Sequence, residues 1–335
     1  MRNYPSLFLL SCLVCFCAFA VAQESTAPRN TRANSIDTVG QVVGVYDDPA
    51  GHMHGFFYTG HDFQKIDYPG AVATELLNIN DRGDMAGDYT DSSNAVHGFI
   101  REQGQFRTFD VPNAVKTVVR GENSAHAIAG YFEDKAGQRH GFVFKDQRFT
   151  TIDYPAAVWT EVDGINDAGD MVGWALDSKR ATHAFLYSKR EFKPADMPEA
   201  TATRPAGISP TGWVVGSYDQ AGSTHGFQLV EDKFTSVDFP NASRTEARGL
   251  NPLGDLVGSY TAMADRSVHG FKYHDSVFTV MDADFAAAPA PTKHNYLILI
   301  GIAAVAVLLI GAIYRLYRGD TSPPPANRVA AQHRS

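Results

Sequence analysis

One spacing constrains this chain more than any other property. Phe recurs at 63, 106, 149, 192, 234 and 278, Thr at 31, 74, 117, 160, 203 and 245, and Gly at 44, 87, 130, 173, 216 and 258. The period is 43 residues and slips by one only near 220 and 265. Periods of about 40–50 belong to propeller blades or helical arrays, so the type of segment decides between them. Each unit is built of short runs rich in β-branched and aromatic residues, broken by Gly, Asp, Asn and Pro, with no stretch of helical spacing. In the fourth unit GDMVGWAL (169–176), HAFLY (183–187), EFKPA (191–195) and ATRPAG (202–207) read as four strands. Four strands in such a unit are the content of a blade. The expected fold is therefore all-β, a six-bladed β-propeller over residues 23–285. The first unit reads as opening on its innermost strand, VGQVVGVY (39–46), and the last as stopping after its third, FTVMDAD (278–284). Residues 27–34 would then supply the missing outer strand of the last blade and close the ring, leaving no open edge.

A second spacing lies inside the first. HGFFYTGHDFQKIDYPGA (54–71) returns with variations in all six units, and its His always precedes an Asp by thirteen residues. The pairs are His54 and Asp67, His97 and Asp110, His140 and Asp153, His183 and Asp196, His225 and Asp238, and His269 and Asp282. Folding 54–67 as a hairpin around TGHD (59–62) sets Tyr58 opposite Phe63 and His54 opposite Asp67. One insertion would turn every later side chain to the wrong face, so the constant gap pins the register. Each pair reads as a cross-strand contact contributing about 0.2–1 kcal/mol. Six histidines on six blades cannot converge to within about 2–2.5 Å of one ion, so neither a metal nor a cofactor is expected. The small residue after each His, Gly in five units and Ala in the fourth, marks a close approach of backbone.

Turns such as NINDRGD (78–84), GINDAGD (164–170) and GLNPLGD (249–255) are Asx chemistry with Gly at positive φ. Where this turn breaks its own rule, a ligand contact becomes a candidate. Gln41, Asp84, Ala127, Asp170 and Asp255 follow the turn Gly or its equivalent, but Trp213 does so in the fifth unit, and His126 replaces the Gly in the third. Both belong to loops entering the strand read as innermost, near the mouth of a central channel. Trp174, in the register of Val45 and Asp88, is a further candidate. For all three, local packing is the competing explanation.

The chain ends set the compartment. Arg2, the apolar run 7–20 and Ala20-Val21-Ala22 make residues 1–22 a cleavable signal peptide. All three cysteines fall inside it, which removes disulfides and thiol chemistry from the mature chain. Residues 296–314 hold nineteen positions without a charge, nearly enough at ~1.5 Å each to cross a ~30 Å hydrocarbon core. Arg315 and Arg318 follow at once, placing the tail 315–335 in the cytoplasm and the body outside it, joined by a Pro/Ala linker at 286–295. The expected location is a single-pass membrane protein with a periplasmic or cell-surface domain. The whole chain carries −8; Arg2 contributes +1, and four Arg and one Asp beyond residue 314 contribute +3, so residues 23–314 carry −12. Such a body has no electrostatic footprint for nucleic acid and repels other polyanions.

The HGF/HAF core, followed by F-x-x-I-D-x-P and G-I-N-x-x-G-D-x-V-G-x-Y, resembles the bacterial extracellular HAF repeats over residues 27–286. The resemblance implies an exported β-repeat protein and brings no catalytic residues. ENSAHAIAG (122–130), without the Gly-Asp step, and Ala283-Asp284 in place of Tyr-Pro depart from the pattern. Three classes of function stay open: a binding module for an envelope glycan, wall component or protein; a glycan hydrolase or lyase on the same scaffold; and a spacer without a ligand. Blades of nearly one length, with no Gly-x-Ser-x-Gly elbow, HExxH or phosphate loop, weigh against catalysis.

Overall fold

The computed structural model describes residues 29–283 and Phe285. The signal peptide, the linker, the membrane span and the tail expected from the sequence lie outside these residues. Among the described residues no helix is long and apolar enough to cross a membrane.

The described residues form 24 strands in six consecutive antiparallel meanders of four. Blade one consists of Arg29–Ile36, Val42–Asp47, Met53–Tyr58 and Phe63–Ile66, paired in that order. The later blades open on Ala73–Ile79, Lys116–Glu122, Ala157–Ile165, Ala202–Ile208 and Ala242–Leu250. These opening strands converge around a central channel, so each is the innermost of its blade. Two expectations are corrected here. Val42–Asp47 is a second strand and not an innermost one. Residues 29–36 pair with Val42–Asp47 inside blade one and do not complete the last blade, which has four strands of its own.

The ring closes through side chains rather than strand exchange. The periodic Thr sits on each inner strand, where its Oγ1 accepts a backbone N–H from the end of the preceding blade: Tyr68 to Thr74 at 3.0 Å, Val111 to Thr117 at 3.1 Å, Tyr154 to Thr160 at 3.0 Å. Ala283 N–H reaches Thr31 in the same way, at 3.1 Å across 252 residues. Asn251 Nδ2 likewise donates to the Asp37 carbonyl at 3.1 Å, as Asn123 does to Asn166 between blades three and four. Ala33, Ile36 and Val42 of blade one share a core with Val257, Met281 and Ala283 of blade six.

The HGF motif explains itself in this frame. Phe56, Phe99, Phe142, Phe185, Phe227 and Phe271 are the largest fully buried side chains, one per blade, each stabilising by about 1.5–3 kcal/mol. Each lies against the periodic Gly of the neighbouring strand, where a Cβ at Gly44 would fall 2.7 Å from the Phe56 ring and 2.1 Å from the Arg32 carbonyl. That room lets the inner strand bulge toward its neighbour, as it does at one register shift after another.

Candidate functional site

Two faces bound the ring. On the first, the loops between inner and second strands surround the channel mouth. Asn80 Oδ1 accepts from Arg82 N–H at 3.0 Å and Asp84 N–H at 3.1 Å, the Asx geometry expected of the turn. The mouth is lined by the residues one or two places after the capping side chain, among them Thr38, Asp81, Ser124 and Asp167, around a cavity of about 100 Å³. Trp213 and His126 leave the same turns but neither lines the mouth cavity. Trp213 packs half-buried against Val215, Leu250, Leu256 and Tyr273, between blades five and six. His126, in the left-handed region at φ 59°, lies between blades two and three. The two therefore share a face but stand three blades apart, and the structure does not unite them in one site.

His126 Nδ1 lies 3.0 Å from Glu122 and 3.3 Å from Glu102. Burial pushes the Glu122 carboxyl up, against the pull of His126. This is a trio with metal-ligand chemistry, but Arg82 Nη2 stands 3.1 Å from the same His nitrogen and 3.3 Å from Glu122. A guanidinium thus holds the place a cation would need.

On the opposite face stand the His–Asp pairs. His54 Nδ1 is 2.9 Å from Asp67, His97 2.8 Å from Asp110, His140 3.0 Å from Asp153, His225 3.1 Å from Asp238 and His269 2.9 Å from Asp282. In four of these an aromatic on the second strand also stacks on the imidazole, as Tyr89 does on His97 at 5.2 Å. Hydrogen bonding to Asp110 holds the His97 pKa above its ordinary value. The fourth pair does not form. Ala184 replaces Gly there; its N–H donates to Asp196 at 2.8 Å, as Gly55 and Gly98 donate to Asp67 and Asp110, and His183 keeps only the contact to Asp177 at 3.4 Å that His54 also makes to Asp48 through Nε2.

Between the faces, each seam joins one blade's second strand to the next blade's inner strand, and the residue after the periodic Gly decides what fills it: Val45, Asp88, Tyr131, Trp174, Ser217 or Ser259. At the seam of blades three and four Tyr131 is buried, with the guanidiniums of Arg120 and Arg139 at 5.6 and 5.3 Å from its ring. Half-buried Trp174 occupies the seam after blade four, opposite Glu161 in the strand register. Asp88 is buried in the second seam; burial first, and then the charge of Glu75, push its carboxyl up to about 8.

The seam of blades six and one is open. Ser259 is too small to fill it, and a cavity of about 310 Å³ remains. Register defines one wall, because Ser259 lies opposite Glu246 and Thr261 opposite Arg244. Arg248 continues the same side of the inner strand, and Arg32 faces it from blade one. Arg244 Nε donates to Glu246 Oε1 at 2.9 Å and Arg248 Nη2 to Oε2 at 2.6 Å. Burial raises the Glu246 carboxyl, but the two guanidiniums outweigh it and bring the group down to about 2. Sequence reasoning missed this site. Its signal was the Arg-rich inner strand ASRTEARGL (242–250) beside a seam residue shrunk to Ser.

No family model and no curated protein matches the chain. Among solved structures it is similar to the SapL1 lectin in complex with alpha methyl fucoside (11% identity, 79% of this chain and 99% of that one, TM-score 0.52). It is also similar to the lectin of Aleuria aurantia in complex with alpha-methyl-L-fucoside (11%, 79% and 99%, 0.51) and to AofleA of Arthrobotrys oligospora (10%, 77% and 88%, 0.51). Together with the six meanders, the likeness defines the class: an all-β, propeller-fold protein.

Proposed function

We propose that this chain is a carbohydrate-binding propeller, anchored by its C-terminal apolar segment and presenting the ring outside the cytoplasm to an envelope glycan, in keeping with an exported HAF-repeat protein. The observation that carries the reading is the open seam between blades six and one. Its volume of about 310 Å³ stands at the small end of ligand pockets, about 300–1,000 Å³, and hydroxyl and guanidinium groups line it. Two lectins similar in fold were solved with a methyl fucoside, which supports a sugar as the ligand class.

Catalysis at this seam meets a chemical obstacle. A general acid needs a pKa near the working pH, whereas the one carboxyl in the cavity, Glu246, is held at about 2. A hydrolase or lyase would therefore need another site, and a spacer would bind nothing. The test is a glycan array probed with the full-length chain in detergent, beside the variant Ser259→Tyr, which copies the filled third seam. At least one glycan class should bind the parent and lose tenfold or more in the variant. Silence across the array, or a variant that binds like the parent, would refute the proposal.

A further inference from the structure

The cavity between blades six and one holds three guanidiniums and one carboxylate. Arg244 and Arg248 share Glu246 between them, one on each oxygen. Their pairing leaves one positive charge in surplus before Arg32 is counted. Arg32 has no hydrogen-bonding or ion-pair partner for its side chain among the described residues, and the Arg248 Nε is buried without a partner.

The inner strands of blades three, four and five have their charges paired. Arg120 meets Asp163 at 3.3 Å, Arg204 meets Asp219 at 2.9 Å, and Arg139 is bound to Glu161. The open seam thus combines room for a ligand with a local charge of about +2 in a body that carries −12 over residues 23–314. These two charges act at different ranges. Exposed charges farther off than a Debye length of about 8 Å are screened at physiological salt, so the pocket's surplus governs contact, while a long polyanion would run over the acidic surface around it.

We infer, resting on the glycan-binding reading above, that this seam selects a sugar bearing a single carboxylate at a chain end, with the acid seated on Arg32. A guanidinium presents a planar fork of donors that matches a carboxylate bidentately. Ser259 and Thr261 stand on the facing wall, where they exchange hydrogen bonds with ring hydroxyls, and Val268 offers an apolar side for the C–H face of the sugar. A sulfate ester offers the same charge in tetrahedral form, so the probe set must separate the two.

The experiment titrates the full-length chain with three matched disaccharides ending in glucuronate, glucose or a 6-sulfated glucose. The uronate should bind at least tenfold more tightly than the neutral sugar and more tightly than the sulfate. Arg32→Gln should bring uronate and neutral sugar to within about twofold while leaving the melting temperature in place. If Arg32→Gln does not fold, Ser259→Tyr tests the same pocket from the other wall and should abolish binding of the uronate. Equal affinity of the parent for uronate and glucose overturns the acid selection and leaves glycan binding standing. Preference for the sulfate overturns the carboxylate. Failure of all three sugars also sinks the inference, and the glycan array then decides separately whether carbohydrate binding falls with it.

Discussion

The six hairpins and the six seams of this ring obey opposite rules. Every hairpin repeats the same buried Phe, and five of the six repeat the same His–Asp bond. No two of the first four seams carry the same residue type: an aliphatic, an acid, a phenol and an indole occupy one structural position, and only the last two agree on Ser. Repetition has a physical cause where strands of one blade must pair in one register. Variation is allowed where two blades meet across a channel, because water or a ligand can satisfy what the neighbour does not. The chain therefore carries its scaffold in its repeats and its individuality in its seams.

The sharpest way to break this contrast is to put one methyl group on the scaffold. A Cβ at Gly130 would lie 2.0 Å from the Val118 carbonyl and 3.1 Å from the Arg120 nitrogen, both rigid backbone. Gly130→Ala should cost about 3 kcal/mol or more in thermal or urea unfolding, toward the top of the range for overpacking. Gly169, in a turn at φ +83° with open space around it, should lose only about 1–2 kcal/mol as Ala, the strain of the left-handed region. Equal losses would show that the bulged inner strands are no more confined than the turns.

Much of this contrast is legible before any coordinates. The gap of thirteen from His to Asp specifies the hairpin, and the observed register, with Tyr58 opposite Phe63, follows from it. The Asx turns and the blade count follow from the period. The phase of the blade does not. A cyclic repeat has no first strand, and any of the four can be read as innermost until something marks the axis. That mark was present as charge at alternate positions of one strand, in Glu75, Arg120, Asp163, Arg204 and Glu246, where a half-buried strand has no reason to carry it unless one side faces a polar channel. Closure was misread for the same reason: with the phase shifted by one strand, the last blade looks short and residues 27–34 look spare. Trp213 is a different case, since nothing local distinguishes an indole offered to a ligand from one packed on Tyr273.

A second test concerns the acid in the second seam. The folded Asp88 carboxyl titrates near 8 because burial disfavours its charge, whereas an unfolded aspartate titrates near 3.8. Between those values the folded chain holds a proton that the unfolded chain has lost, so stability falls as pH rises from about 4 to about 8 and levels off above. Asp88→Asn keeps the shape and removes the titration. It should match the parent near pH 4 and exceed it by about 2–3 kcal/mol at pH 6, because each pH unit between the two values costs the parent about 1.4 kcal/mol. Parallel stability curves for parent and variant would mean that Arg120 and Lys116 already neutralise this seam.

The smallest effect tests the hairpins against their own exception. His140 is bound to Asp153 at 3.0 Å and stacked under Phe132 at 5.1 Å, while His183 lacks the equivalent bond and keeps only a contact to Asp177 at 3.4 Å. Replacing His140 by Ala removes one hydrogen bond and a ring contact and should cost about 1–2 kcal/mol. His183→Ala should cost less, because the carboxylate it abandons, Asp196, is already satisfied by the Ala184 N–H. Thermal melts of the two variants at pH 7 read the difference directly. If both lose equally, the His–Asp bond is decorative and the imidazole acts through stacking alone, since Tyr154 lies parallel to His183 at 5.6 Å just as Phe132 does beside His140. If His140 alone is costly, the constant gap of thirteen residues records a real cross-strand contact, one that the fourth blade, with Ala184 beside its His, lacks.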